Sequence, residues 1–229
     1  AKNIWRKLNG LEDKLHVIPP WPMEDVLERI PRNQNPFIKE HQLEDKIVLM
    51  YSGNHSPVHP LATFLEASKA FTDDPRIVFF FIGGGKGKEE VDQFIADEQP
   101  KNVVSLPYQP LDRIKYSLSA GDVHLVSMGE PMIGCVHPCK FYGSLSLAKP
   151  LIYLGPKCSH IGKIIDETQN GWQIDHQETE TLISKIKIAA TTPDLDAIGQ
   201  RGHQKILSDL SRRNLCSRFC KIISSSTDS

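Results

Sequence analysis

No apolar run in this sequence approaches the roughly 18 to 20 residues that a membrane-crossing helix needs, so the chain is expected to be soluble. Charge of one sign is missing too: 27 Lys and Arg against 28 Asp and Glu leave a formal net charge of −1. Without an overall basic field, bulk nucleic-acid binding is excluded, and any anion must be held by a local arrangement. The five cysteines form no Cys-x-x-Cys pair. With no secretory leader, they point to a reduced, cytoplasmic compartment. Catalytic signatures are scarce as well. Gly83–Gly87, GGGKG, fits neither the GxGxxG dinucleotide fingerprint nor the GK[ST] ending of an NTP and magnesium loop. No Gly-x-Ser-x-Gly elbow demands a serine nucleophile. Cys135–Cys139, CVHPC, offers two thiols and one imidazole, one short of a structural zinc set, and no metal is expected.

What is present is an alternation of apolar runs and amphipathic segments. Ile47–Tyr51, Ile77–Ile82, Val103–Leu106, Val123–Val126, Leu151–Leu154 and Gly171–Ile174 are candidates for buried strands. Between them Leu61, Phe64, Leu65 and Phe71 share a helical face, as do Val91, Phe94 and Ile95, and Leu111, Ile114 and Leu118. Strands apolar on both faces, separated by such helices, predict an α/β fold. It is a Rossmann-like, doubly wound parallel sheet of about six strands with helices on both faces.

The flanks read differently. Beyond the sheet, Asp175 and Glu178 fit a capping box, Leu182, Ile183 and Ile186 share a face, and Thr192-Pro193 restarts a helix with Pro at its first position. A last helix gathers Leu215, Phe219, Ile222 and Ile223, with Cys216 and Cys220 as core thiols, before a frayed SSSTDS end. Ahead of the sheet, KNIWRKLNG predicts a helix closed by Asn9-Gly10, Leu15–Ile18 a short strand, and Pro19-Pro20-Trp21-Pro22 an extended connector. The chain opens on Ala and runs straight into that helix, so it is expected to be cut from something longer. The expected organisation is residues 1–43 as the tail of a preceding domain plus a linker, 44–176 as the sheet domain that binds the ligand, and 177–229 as helices closing it.

Ligands of an open parallel sheet sit beyond the carboxyl ends of its strands, where loops 52–55, 83–88, 108–110 and 129–140 converge. In the last of these, Lys140 falls where a helix begins, so free N–H groups and a cation would face the loop together, a natural seat for phosphate. Gly83–Gly87 reads either as a flexible turn or as backbone drawn close to a ligand. Asn54 and His55 fit a plain turn or a ligand contact equally well. Tyr108 could stack on a base, Glu130 could bind sugar or ribose hydroxyls, and His137 could meet charge on a departing phosphate.

Five segments in order, YSGNHSPVHPLATFLEA, VFFFIGGGKGK, NVVSLPYQPLDRIKYSLSAGDVHLVSM, HPCKFYGSLSLAKPLIYLG and ETQNGW, give the chain a resemblance to a known family over about residues 15–223. It resembles the C-terminal, donor-binding half of a retaining family-four glycosyltransferase with the two-Rossmann-domain GT-B fold, in the branch that builds bacterial surface polysaccharides. The resemblance implies a nucleoside-diphosphate sugar of UDP or GDP type as substrate, with no cofactor. It implies catalytic roles for Lys140 and Glu130, and donor contacts from Gly53, Asn54, His55, Gly84, Tyr108, Gln109, His137, Cys139 and Tyr142. An N-terminal acceptor-binding domain would be missing from this chain. The acceptor would be a polysaccharide or lipid-linked sugar, at the inner face of the membrane, and nucleic acid would not be a partner. Two departures stand out. The paired glutamates that the family often carries eight positions apart would fall on Cys135 and Gly143, and Pro138-Cys139-Lys140 replaces a common Pro-Ser-Lys. The alternatives are a non-hydrolysing nucleotide-sugar epimerase, whose paired acids and histidines are not seen, and a non-catalytic α/β binding domain.

Overall fold

A computed structural model describes residues 15–20 and 27–227. The expected helix at residues 2–10, the Trp21-Pro22 part of the connector and the last two residues of SSSTDS lie outside the described residues.

Leu15–Ile18 forms no strand; its backbone is irregular. The stretch before the sheet, which shows little periodicity in sequence, carries a 3-10 turn, Arg32–Gln34, and helix α1, Pro36–Glu40, capped by the Asn35 side chain accepting from Phe37 N. Both are stapled to the sheet. The Arg32 guanidinium donates to the Asp122 carboxylate at 2.8 and 3.0 Å, and that carboxylate also accepts from Val48 N at 2.8 Å.

The sheet then alternates with helices: β1 Ile47–Ser52, α2 Ala62–Lys69, β2 Ile77–Ile82, α3 Lys88–Glu98, β3 Val103–Leu106, α4 Ile114–Ala120, β4 Val123–Ser127. After a 3-10 turn, Glu130–Met132, come α5 Lys140–Ser146, β5 Leu151–Leu154, α6 His160–Thr168 and β6 Gly171–Ile174. The tail holds α7 Thr179–Thr191, α8 Leu195–Lys205, a π-helical turn Ile206–Leu210 and α9 Arg212–Thr227. All six strands run parallel, in the order β3-β2-β1-β4-β5-β6. The order reverses between β1 and β4, which opens a crevice at the carboxyl ends of those two strands.

The two-residue period of a strand sends alternate side chains to opposite faces, and here both faces are covered. Leu49, Tyr51, Phe79, Phe81 and Leu125 pack with Phe64, Leu65 and Leu182 on one side. On the other, Val48, Met50 and Phe80 meet Phe37, Ile38 and Leu43, while Leu151 and Tyr153 meet Phe141, Leu145 and Ile161. Each fully buried large side chain contributes about 1.5–3 kcal/mol, so this two-sided core fixes the strand ends that carry the site.

Several expectations are corrected. Leu111 is 89% exposed and lies ahead of α4, because Pro110 begins a separate turn. The Asp175–Glu178 capping box does not form; Asp175 instead accepts from Gln173 Nε2 at 2.8 Å. Pro193 stays outside α8, whose cap is Asp194, accepting from Ala197 N at 2.9 Å. On α9, among the described residues, Leu215 alone is buried, whereas Phe219, Ile223 and Cys220 are exposed and Cys216 is half-buried, so these are not core thiols. The sequence reading also passed over α6, whose Ser159 cap accepts from Gly162 N while Ile161, Ile164 and Ile165 enter the core.

Helix α8 lies flush against the turn that follows α5. A Cβ on Gly199 would collide with the Ala148 carbonyl, and one on Gly202 would meet the Leu145 and Asn170 side chains at 2.5 Å. The His203 ring bonds the Leu145 carbonyl at 3.0 Å through Nδ1.

Candidate functional site

At the crevice, the loop after β1 and the loop after β2 are joined main chain to main chain. Gly53 N donates to Ile82 O at 2.9 Å, His55 N to Gly84 O at 2.8 Å, and Gly87 N to His55 O at 2.7 Å. Gly83 and Gly85 have φ of +133° and +116°, and a Cβ on either would collide with residues 53–55. Their glycines are therefore needed for loop-to-loop contact. Tyr108 closes the outer edge, its phenol donating to Gly84 O at 3.1 Å while the residue stays 58% exposed.

Lys140 reaches this plate from the far side of the switch point, as the first residue of α5. Its Nζ donates to Tyr51 Oη at 2.6 Å and to Asn54 O at 3.2 Å, and stands 3.9 Å from the centre of the Tyr51 ring. Tyr51 Oη in turn donates to Asn54 O at 3.1 Å. Among the described residues no carboxylate pairs with Lys140. Burial without a counter-ion pulls its pKa down to about 7. The same burial raises that of Tyr51, with Tyr108 adding to it.

His55 is fully buried and faces Gly53 O through Nδ1 at 3.0 Å. A ring nitrogen facing a carbonyl must carry the proton, so Nε2 is a bare acceptor, with no partner among the described residues. Burial, then the Lys88 charge, pulls its pKa to about 4. His59, pulled to about 4 by burial and then by Lys140, is equally neutral at physiological pH. Lys88, the first residue of α3, spends its ammonium on Phe81 O at 2.9 Å and Leu106 O at 2.7 Å, tying the ends of β2 and β3 together.

Gly53, Asn54, His55, Gly84, Tyr108 and Lys140 are thus brought together at the crevice. Others stand apart. Gln109 donates to Pro107 O at 3.3 Å within its own turn. Glu130 is exposed on a 3-10 turn, and among the described residues no ion pair or hydrogen bond ties its side chain to Lys140. His137 and Tyr142 stack on each other, ring centres 5.2 Å apart at 27°, with His160 at 5.2 Å from His137. Burial, with His160 beside it, holds His137 at about 4. Cys139 makes no side-chain cap, and its thiol faces His137 O at 3.7 Å.

The helix start is also narrower than the sequence suggests. Phe141 N and Tyr142 N are already bonded to Pro138 O and Cys139 O at 3.1 Å, so the lysine side chain is the main positive group. Grooves of about 390 and 480 Å³ lie at the opposite, amino ends of the strands, near Asn102 and near Lys149. Neither touches the switch point, and the site is located by its chemistry. Among the described residues no group of three or more His, Cys, Asp or Glu could hold a metal, and no helix is long and apolar enough to cross a membrane. Sequence reasoning missed Tyr51 and Lys88. Tyr51 ends an apolar run, and its position at the strand's carboxyl end was the available signal.

No protein-family model matches the chain. In Anabaena HepE (Alr3699), solved in complex with UDP-glucose, 61% of that chain is covered by 98% of this one at 13% identity and a TM-score of 0.78. WaaG, a glycosyltransferase involved in lipopolysaccharide biosynthesis, gives a TM-score of 0.71 at 14% identity, over 91% of this chain and 56% of that one. This is the fold of one Rossmann-like half of a GT-B glycosyltransferase. The likeness extends to sequence, and the chain belongs to the glycosyltransferases: "Probable glycosyltransferase WbjE" of Pseudomonas aeruginosa is 30% identical over 172 residues, 75% of this chain. The chain spans 43% of that relative's length. Glycosyltransferases recur among these relatives, and the epimerase reading is not favoured.

Proposed function

We propose that this chain is the donor-binding part of a glycosyltransferase, holding a nucleoside-diphosphate sugar of UDP or GDP type in the β1/β4 crevice. The observation that carries the reading is Lys140: a half-buried ammonium with neutral oxygens as partners, held at the switch point of a parallel sheet. A cation without a counter-ion is a poor arrangement for stability and a good one for receiving an anion. The UDP-glucose of HepE and the glycosyltransferase name of WbjE support the same choice of ligand.

In this reading the bond between the sugar's anomeric carbon and the diphosphate oxygen breaks with its electron pair on that oxygen. Lys140 neutralises the charge as it grows, without a metal. Transfer of a hexosyl group proceeds with retention, to a polysaccharide or lipid-linked acceptor at the cytoplasmic face of the membrane. A second Rossmann-like domain supplies the acceptor site. Residues 44–176 form the donor-binding unit and 177–229 the helices that close it. Gly53, Asn54 and His55 border the diphosphate, and Tyr108 and Gln109 the base.

Calorimetry with UDP, UDP-glucose and GDP tests the assignment. Lys140→Ala is expected to weaken the preferred nucleotide by about 10–100-fold, the worth of a charge-assisted hydrogen bond. Unchanged affinity in that variant would remove Lys140 from the site, and no nucleotide affinity in the unmodified chain would leave it a binding domain of another kind.

A further inference from the structure

Tyr51 is buried completely on β1, yet its hydroxyl stands at the one place where β1, the 53–55 loop and α5 meet. It accepts from Lys140 Nζ and donates to Asn54 O, the same carbonyl that accepts from Lys140. Three groups therefore form a closed triangle. The ring lies under the ammonium at 3.9 Å, and the His55 ring braces it edge-on with centres 4.8 Å apart. An ammonium has three protons, and this triangle uses two. The third has a fixed direction because the other two are fixed.

We infer that Tyr51 is a positioning residue for the donor reaction: it orients Lys140 and keeps it protonatable, so that the lysine presents a single N–H to the donor's diphosphate. The inference rests on the donor reading above and extends it to a residue that touches no ligand. The groups facing the lysine are Tyr51 from β1, Asn54 and His55 from the following loop, His59 beyond it, and Cys139 beside it on the chain. Lys88 and Asp92 act on His55 from α3. None of these is a carboxylate paired with Lys140; Cys139 opposes the effect of desolvation on the lysine, and the neutral phenol and carbonyl oxygens give its ammonium two hydrogen-bond acceptors. An arriving diphosphate adds the missing counter-charge, and binding draws a proton onto the lysine wherever it was neutral.

Tyr51→Phe keeps the ring and its packing while removing the hydroxyl alone. With the unmodified chain, affinity for UDP-glucose, whose diphosphate does not titrate in this range, is expected to be level on the acid side and to fall as pH rises through the lysine's titration. Calorimetry in two buffers of different ionisation enthalpy should register proton uptake. In Tyr51→Phe the affinity is expected to drop about tenfold, and the break in the profile to move to lower pH, because the ammonium has lost an acceptor. Lys140→Arg, whose guanidinium stays charged, should show a flat profile and no proton uptake. A Tyr51→Phe protein with unmodified affinity and an unmoved break would overturn this inference alone. Absence of UDP or GDP binding by the unmodified chain would overturn it together with the donor reading.

Discussion

Lys140 is held in the folded chain at about 7, against its ordinary 10.5. Between those values the unfolded chain binds the proton and the folded chain does not, so unfolding takes up a proton and the fold gains stability as pH rises from about 7 toward 10.5. Lys149, buried at the other end of the sheet and lowered to about 8, acts in the same direction. Lys140→Met should therefore melt higher than the unmodified chain at neutral pH while binding nucleotide about 10–100-fold more weakly, and its melting temperature should rise less steeply across the alkaline range. A lower melting temperature at every pH would show that the lysine stabilises its surroundings. The sequence exposed this residue because a lysine opening a helix after a Gly- and Pro-rich loop is a local pattern. Tyr51 stayed hidden for the opposite reason: its role depends on a partner 89 positions away, and at its own position it reads as one more apolar strand residue.

Strands were the most legible elements. β2, β3, β5 and β6 begin and end where the apolar runs do; in β2 and β5 every position is buried, so no polar position blurs their limits. Helix starts were less so, since Asp175, Glu178 and Pro193 each fit a cap pattern that the chain satisfies with Asp194 or leaves unused. Helix α6 has a strong stripe but spans only His160–Thr168, and Gly155-Pro156 ahead of it reads as plain loop. The glycine-rich loop illustrates the limit at this scale: composition marked it, while its reason, contact with residues 53–55, needed three dimensions. Gly83→Ala should cost roughly 2–4 kcal/mol through combined backbone strain and collision with Gly53, lowering the melting temperature by roughly 5–15 °C. Thermal denaturation of Gly83→Ala beside Gly134→Ala, whose Cβ would meet nothing within 4 Å, isolates the collision, since both glycines have positive φ. Equal losses would assign the effect to backbone conformation.

For the whole molecule, the parallel doubly wound architecture was readable because six apolar runs alternate with amphipathic segments, and no single contact was needed to infer it. Which side-chain clusters form across the layers was not readable, and four histidines depend on exactly that. His55 and His59 share the loop after β1, His124 lies on β4 and His137 in the loop before α5, and burial is the largest cause in each case that holds them near 4 instead of 6.5. Over that interval the unfolded chain binds protons that the folded chain refuses. Stability is present above pH 6.5 and lost as pH falls toward 4, by up to about 1.4 kcal/mol per pH unit for each histidine. Urea denaturation across this range should show a steep loss, and replacing His124 by a neutral side chain should make it shallower. A flat response would mean that these imidazoles reach water readily.

The contact between α8 and the turn behind α5 makes the lysine's placement a remote property. Ala148, whose carbonyl leaves no room for a Cβ on Gly199, is eight residues past Lys140 on the far end of the same short segment. Bulk added at Gly199 or Gly202 is expected to push on that segment from behind and to shift the ammonium relative to the β1 loop. A selection for variants that fold yet lose nucleotide should thus recover changes some sixty positions downstream, in residues that no bound sugar would ever meet.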